Sequence, residues 1–382
     1  MAMNRFGRRG ALLFLAIPCI VAWLLIALGT NVNVLYTGRF LVGFCVGCYT
    51  IIVNVYIAEI AEDKIRGMLG FMFPILISSG VLYTYVVGAF LPWQYFTLAN
   101  IIFPVALFVG MYFVPESPIY LLGKGKKKIA GKALQWFRGA VTFDNIENEL
   151  QQMQHFVEDT AGKKVSFKDL LAPAVVKPTL ISFGLLFFQQ LSGVNVILFY
   201  TVDIFRSTGS DIDPSIATII VGVVVVVSCL ISTPFIDRMG RRILLVFSAI
   251  GMCISLAAMG IFFYLKERNN DVIPENLGWL PLASLMGYIL SLNWGYGPIP
   301  WLMLGELIPT HVKGSASALV TTLNWFMCFL MIKTFEHLAM QLGMYGVYWF
   351  FSSFCFVGIF FAYFIVPETR GKTLEEIQAI FK

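Results

Sequence analysis

The sequence predicts an all-α protein made of membrane-spanning helices, and three observations point there. Hydrophobic residues make up 58% of the 382-residue chain and charged residues 13%, against about 25% charge in a soluble domain. Ten apolar runs are long enough to cross a hydrocarbon core, which takes roughly 20 residues of helix. Short polar motifs then recur in the same order in the two halves of the chain. Lipid offers the backbone no hydrogen-bonding water, so each run must satisfy its own N–H and C=O groups as a helix.

The runs lie near 10–29, 39–60, 68–90, 96–114, 179–205, 216–236, 243–265, 280–304, 315–337 and 345–366. No charge interrupts the stretch from Gly67 to Pro115, but Leu91-Pro92-Trp93-Gln94-Tyr95 divides it as an interfacial turn with aromatic anchors. The polar segment 115–178, with its GKGKKK run and its Glu and Gln clusters, separates the first four spans from the last six. The expected organisation is an incomplete four-span bundle over 1–114 and a cytoplasmic loop with short helices over 115–178. A six-span bundle over 179–366 and a cytoplasmic tail over 367–382 complete it. With spans alternating in direction, Arg5, Arg8, Arg9, Lys64, Arg66, Arg238, Arg241, Arg242, Lys313, Arg370, Lys372 and Lys382 share one side with the long segment. Only Arg39, Arg206, Lys266 and Arg268 fall on the other. The richer side is expected to be cytoplasmic, with both termini inside.

A net charge of +5 is too modest to indicate nucleic-acid binding. Cys45 and Cys48 form a C-x-x-C, but they sit in an uncharged apolar run with no His partner. They read as small packing residues rather than a metal or redox pair. No Asn-x-Ser/Thr sequon occurs, and no phosphate-binding loop that would couple the protein to ATP. The apolar run after MAMNRFGRR is too long for the core of a signal peptide. Gly43 and Gly47 form a small-x-x-x-small pair, which predicts close helix packing.

NRFGRR at 4–9 matches DRMGRR at 237–242, E-I-A-E-D-K-I-R-G at 59–67 matches E-L-I-P-T-H-V-K-G at 306–314, and PESP at 115–118 matches PETR at 367–370. Transporters are often built from such repeats, with the substrate site near mid-membrane. Two spans precede DRMGRR and none precedes NRFGRR, so internal symmetry leads to the expectation that two N-terminal helices are absent from a twelve-span plan. The repeated charges are Arg8, Arg9, Glu59, Arg66 and Glu116 in the first half, and Asp237, Arg241, Arg242, Glu306, Lys313 and Glu368 in the second. All lie at cytoplasmic helix ends. Single exposed ion pairs contribute about 0–1 kcal/mol, so a duplicated network is read as a conformational latch.

GRF–VG at 38–43, PESPIYLL at 115–122, QQLSGVN at 189–195, DRMGRR at 237–242, GPIPWLMLGE at 297–306, NW at 324–325 and PETRGKTLEEI at 367–377 together resemble the sugar porter family of the major facilitator superfamily, over nearly the whole chain. YIAEIAEDKIRG, FYTVDIF and LGWLPL are most similar to its facilitated trehalose transporter branch. The resemblance implies a major facilitator fold in a lipid bilayer, at the plasma membrane. It also implies alternating-access transport of a neutral sugar, trehalose or a hexose, with no covalent chemistry and no cofactor. Proton-coupled relatives use an acid on their first helix, and no remaining span carries a deep acidic residue, so facilitated uniport is expected.

The same resemblance places Gln189, Gln190, Asn195, Asn293 and Asn324 on the sugar, with Trp301 and Trp325 as stacking faces and Tyr200 as an extracellular gate. Amides both donate and accept, which suits neutral hydroxyls. Gly193 would let its helix bend. Gly297, Pro298 and Pro300 would break a helix into a hinge, because proline lacks the N–H and clashes with the preceding turn. A Gln-Gln pair can also serve simply as a hydrogen-bonded tie between helices, and either Trp could be a lipid-facing anchor. Asn4, Lys313, Asn293, Pro74 and Asn54 depart from the family pattern. Lys313 replaces an Arg and loses bidentate pairing. Asn293 and Pro74 replace residues typical of glucose carriers, which is compatible with another or larger sugar. Two further expectations stand beside transport: a non-transporting sugar sensor, and a truncated product without independent activity.

Overall fold

The computed structural model describes residues 2–140, 142–160, 172–208, 213–269, 277–309, 312–372 and 374–381. Side chains of Asn4, Arg66 and Asp237 fall outside the described residues. The chain divides into two compact units, Met1–Phe73 with Val87–Lys164, and Pro74–Val86 with Val165–Lys382.

In the first unit, α1 (Ala2–Leu28) packs on α2 (Val32–Ile60), α4 (Trp93–Ala99) and α5 (Ile102–Phe113). α3 (Asp63–Phe90) contributes its two ends to this unit and residues 74–86 to the other. Ala11, Leu12, Leu15, Ile52, Tyr56 and Met111 form its buried core. α1 and α2 meet most closely at Gly38, where a Cβ would lie 2.6 Å from Ile26 and 3.0 Å from the Ala22 carbonyl. The packing expected at Gly43 and Gly47 does not occur: a Cβ on either would meet nothing within 4 Å. Those glycines lie on a face of α2 with no close neighbour. The polar segment folds into α6 (Pro118–Gly123), α7 (Lys127–Arg138) and α8 (Asp144–Thr160). These bury Leu121, Leu122, Ala130, Ala133, Leu134, Ile146 and Leu150 in a core of their own.

The second unit holds α9 (Pro173–Leu191), α10 (Val194–Thr208), α11 (Pro214–Met239), α12 (Arg241–Arg268), α13 (Leu280–Trp294), α14 (Ile299–Leu307), α15 (Lys313–Phe364) and α16 (Leu374–Ala379). α12 packs along α15 and α13, burying Leu245, Met252, Phe262, Tyr288, Tyr348 and Phe351. Asp213 caps α11 by accepting from the Ser215 and Ile216 N–H groups at 2.8 and 3.2 Å.

Among the described residues, eight helical segments are long and apolar enough to cross a membrane, against the ten spans expected. Two local features lie where the count differs. α13 and α14 are 15 and 9 residues long, each too short alone, because the Gly-Tyr-Gly-Pro stretch separates them. α15 runs 52 residues but contains Gly343 at φ 70°, ψ 166°, which is not helical. At 1.5 Å per residue it would be about 78 Å long if straight, more than twice a hydrocarbon core of about 30 Å. The expectation of two helices lacking ahead of α1 gains no support from the described residues.

Candidate functional site

The second unit's polar interior starts from the break between α13 and α14. In an unbroken helix the N–H of residue 300 would bond to the carbonyl of residue 296. Pro300 has no N–H, which leaves the buried Tyr296 carbonyl to find another donor. Gln189 on α9 supplies it: its Nε2 donates to Tyr296 O at 2.5 Å and to Gly297 O at 3.0 Å. The Gly297 N–H bonds back to Leu292 O at 2.7 Å, and the Tyr296 N–H donates to Ser248 Oγ at 3.0 Å. Gln189 therefore ties the break to α9, the alternative role for one member of the Gln-Gln pair.

Its neighbour Gln190 does something different. Residues 189 and 190 point about 100° apart on a helix, so Gln190 faces α15. There its Nε2 donates to Asn324 Oδ1 at 2.9 Å, while its Oε1 accepts from Asn195 Nδ2 at 2.7 Å. Gln190 is 4% exposed and Asn324 2%. The bend at Gly193 makes this relay possible. Its φ of +82° is open to glycine, and a Cβ there would sit 2.6 Å from the Phe351 ring. The bend starts α10 at Val194 and lets Asn195 reach back to α9. By amide valence, the Asn195 carbonyl oxygen and the Asn324 amino group keep hydrogen-bonding capacity that the relay does not use.

Other expected residues lie apart from this relay. Asn293 donates to Ser228 Oγ at 2.6 Å and Val225 O at 3.4 Å, joining α13 to α11. Trp301 and Trp325 are exposed, and no hydrogen bond or ring contact joins them to the relay among the described residues. Tyr200 packs its ring 4.8 Å from that of Phe335, linking α10 to α15. Sequence reasoning missed Tyr296 and the buried pair Ser192–Tyr288, whose hydroxyls lie 3.0 Å apart. It also missed Tyr85, which donates to Leu198 O at 2.6 Å. The glycines flanking Tyr296 were the available signal for the first. No group of His, Cys, Asp or Glu among the described residues could hold a metal, and all seven cysteines are free. A separate apolar cavity of about 230 Å³ opens in the first unit beside Cys19, Trp23, Tyr49 and Leu107. It contains none of the expected ligand residues.

The duplicated charges form two matching clusters, one inside each unit. In the first, Arg8 binds Glu59 at 2.6 Å. Among the described residues, no Arg side chain hydrogen-bonds to Glu116. Its carboxylate accepts from the backbone N–H groups of Arg8 at 2.9 Å and Arg9 at 3.1 Å, just after Gly7 breaks the helix at φ 85°. It is thus an N-cap supplied from a distant segment, complementing the positive end of the helix dipole. The Arg9 guanidinium reaches the last carbonyls of α5, Met111 O at 3.0 Å and Tyr112 O at 2.6 Å. In the second cluster Arg241 binds Glu306 at 3.3 Å. Glu368 caps α12 through the N–H groups of Arg241 and Arg242 at 3.0 and 3.1 Å. Arg242 donates to Tyr363 O near the end of α15. The clusters differ at the motif hydroxyl. Ser117 Oγ donates to Glu59 Oε2 in the first. In the second, the corresponding Thr369 Oγ1 and Glu306 Oε2 are both buried without a hydrogen-bond partner among the described residues. Lys313 is half-buried nearby, its Nζ 3.8 Å from where a Cβ on Gly305 would lie.

Long apolar helices, a broken helix and a neutral amide relay inside a bundle define a class, the multi-pass membrane transport proteins. A family model described as "Sugar (and other) transporter" matches residues 1–381, and the chain belongs to that family. It is 42% identical over 374 residues to facilitated trehalose transporter Tret1 of Polypedilum vanderplanki, covering 97% of this chain and 73% of that protein. It is 40% identical to the Apis mellifera ligustica protein of the same name, covering 98% and 74%. Against the Drosophila erecta protein it is 43% identical and spans 43% of the relative's length. Among solved structures, the proton:xylose symporter XylE bound to 6-bromo-6-deoxy-D-glucose aligns with TM-score 0.77 at 26% identity, over 100% of this chain and 85% of that one. The inward-open form of XylE from E. coli aligns with TM-score 0.80 at 25% identity, over 100% and 84%.

Proposed function

We propose that this chain carries a neutral sugar, trehalose or a hexose, across the plasma membrane by alternating access, as a facilitated uniporter. The carrying observation is the Asn195–Gln190–Asn324 relay, buried at Gln190 and Asn324, an uncharged donor–acceptor array suited to sugar hydroxyls. The similarity to three facilitated trehalose transporters supports trehalose as the first substrate to test. In this reading Gln190, Asn195 and Asn324 contact the sugar, and the exposed indoles of Trp301 and Trp325 offer stacking faces. Gln189 holds the hinge at Gly297, Pro298 and Pro300, and Tyr200 gates the outer side. The chain spans the membrane ten times, with α13–α14 as one span and α15 as two, and keeps its Arg- and Lys-rich helix ends in the cytoplasm. The two charge clusters brace the cytoplasmic helix ends in one state and loosen in the other.

Uptake of labelled trehalose and glucose by cells displaying the 382-residue chain tests this. Saturable uptake above that of control cells is expected, and a protonophore should leave it unchanged. Uptake at control level despite display at the surface overturns the transport reading.

A further inference from the structure

The helix α7 presents an outer face that transport does not explain. Its inner face buries Ala130, Gly131, Ala133 and Leu134. The outer face carries Lys128, Lys132 and Trp136 at i, i+4 and i+8, with Ile129 a heptad before Trp136, and Lys126 and Lys127 at its start. Ile129 is 52% exposed and Trp136 56%. All four lysines are exposed, α7 holds no carboxylate, and none of the lysines has an ion pair among the described residues. Basic residues flanking exposed Ile and Trp are the composition of a helix lying in a membrane interface.

Its position fits. Arg138, the last residue of α7, donates from Nη1 to Ile60 O at 2.8 Å. Ile60 ends the membrane span Val32–Ile60. Phe137 packs its ring edge on Tyr56 of that span, 6.4 Å between centroids, and Trp136 packs on Phe137 at 5.2 Å. Ion pairs to Glu149 at 2.6 Å and Glu62 at 3.7 Å hold Arg138 in place. The C-terminal end of α7 is thus fastened where a span leaves the hydrocarbon, the depth at which Trp is enriched.

We propose that α7 is an anionic-phospholipid site, with Lys126, Lys127, Lys128 and Lys132 on headgroup charges and Ile129 and Trp136 at the headgroup–acyl boundary. With the basic helix ends cytoplasmic, this is the leaflet that carries anionic lipid. The full chain, purified in neutral detergent, is titrated with phosphatidylserine and with phosphatidylcholine in mixed micelles, and bound lipid is counted by native mass spectrometry. The wild type should prefer phosphatidylserine, and inorganic phosphate at millimolar concentration should not compete. At about 1 kcal/mol per basic residue near the surface, each lysine removed weakens binding about fivefold. Lys128→Gln/Lys132→Gln should therefore lose roughly 25-fold in phosphatidylserine affinity. Lys128→Arg/Lys132→Arg and the remote Lys372→Gln should bind as wild type. Equal binding of both lipids, undiminished binding by the Gln variant, competition by inorganic phosphate, or preference for a polyglutamate peptide overturns the proposal. Loss of binding in the Arg variant overturns it too.

Discussion

Pro300 removes one backbone donor, and Gln189 restores the lost hydrogen bond from a neighbouring helix. That arrangement makes Gln189 a structural residue with a measurable signature. Replacing it with Leu leaves the Tyr296 carbonyl buried and unpaired, which costs about 1–3 kcal/mol. Gln189→Leu should lower the thermal midpoint in detergent with no sugar present, and an unchanged midpoint would refute the tie. In the proposed reading Gln190 meets the sugar. Gln190→Ala strips both neighbours in the relay, Asn195 and Asn324, of a partner. Sugar affinity should fall at least about tenfold, the equivalent of about 1.4 kcal/mol, as read by sugar-induced thermal stabilisation. The two glutamines stood out in the sequence through the resemblance of QQLSGVN to the sugar porter pattern. Their division of labour was not legible, because it depends on which helices lie at two headings about 100° apart. The same resemblance put Asn293 in the set, and its side chain bonds to Ser228 rather than to the relay.

At the scale of elements, the same contacts recur in both units: an Arg–Glu pair, a Glu cap on a helix start after a positive-φ glycine, and an Arg on the last carbonyls of a helix. The repeat was plain in the sequence, and so was the presence of charge at helix ends. That Glu116 and Glu368 bond to backbone N–H groups was not legible, since each contact spans more than a hundred residues. The motif hydroxyl is where the clusters diverge. Ser117→Ala removes a bond to a charged, half-buried carboxylate and should destabilise by about 1.5–3 kcal/mol. Thr369→Ala removes a buried hydroxyl that has no partner among the described residues and should be neutral or slightly stabilising. Chemical or thermal unfolding of the two variants side by side checks this, and equal losses would show that the clusters are equivalent. The ten-run reading located the helices and expected a break at Gly297, Pro298 and Pro300, where α13 and α14 separate, but could not foresee how short each piece would be. Nor could it foresee that the helices of the last two runs would meet directly at a non-helical kink, Gly343. It also expected close packing at Gly43 and Gly47, whereas the glycine of α2 that packs closely is Gly38, opposite Ile26 and Ala22.

For the whole molecule, composition alone sufficed for the fold class, since 58% hydrophobic residues with 13% charge leave no soluble solution. Family membership follows from motifs spread along the chain and from the match over residues 1–381. What a single sequence leaves open is substrate, because sugars differ by hydroxyl positions that relay geometry reads and residue spacing does not. The central claim is that the amide relay of the second unit binds the sugar that is carried. Its most direct test is saturable uptake of labelled trehalose into proteoliposomes, wild type against Gln190→Ala at equal inserted protein. The account predicts wild-type uptake above protein-free vesicles, unaffected by collapsing a proton gradient, and a drop of at least about tenfold in the variant at low substrate. Undiminished uptake by Gln190→Ala, or none by the inserted wild type, would contradict it.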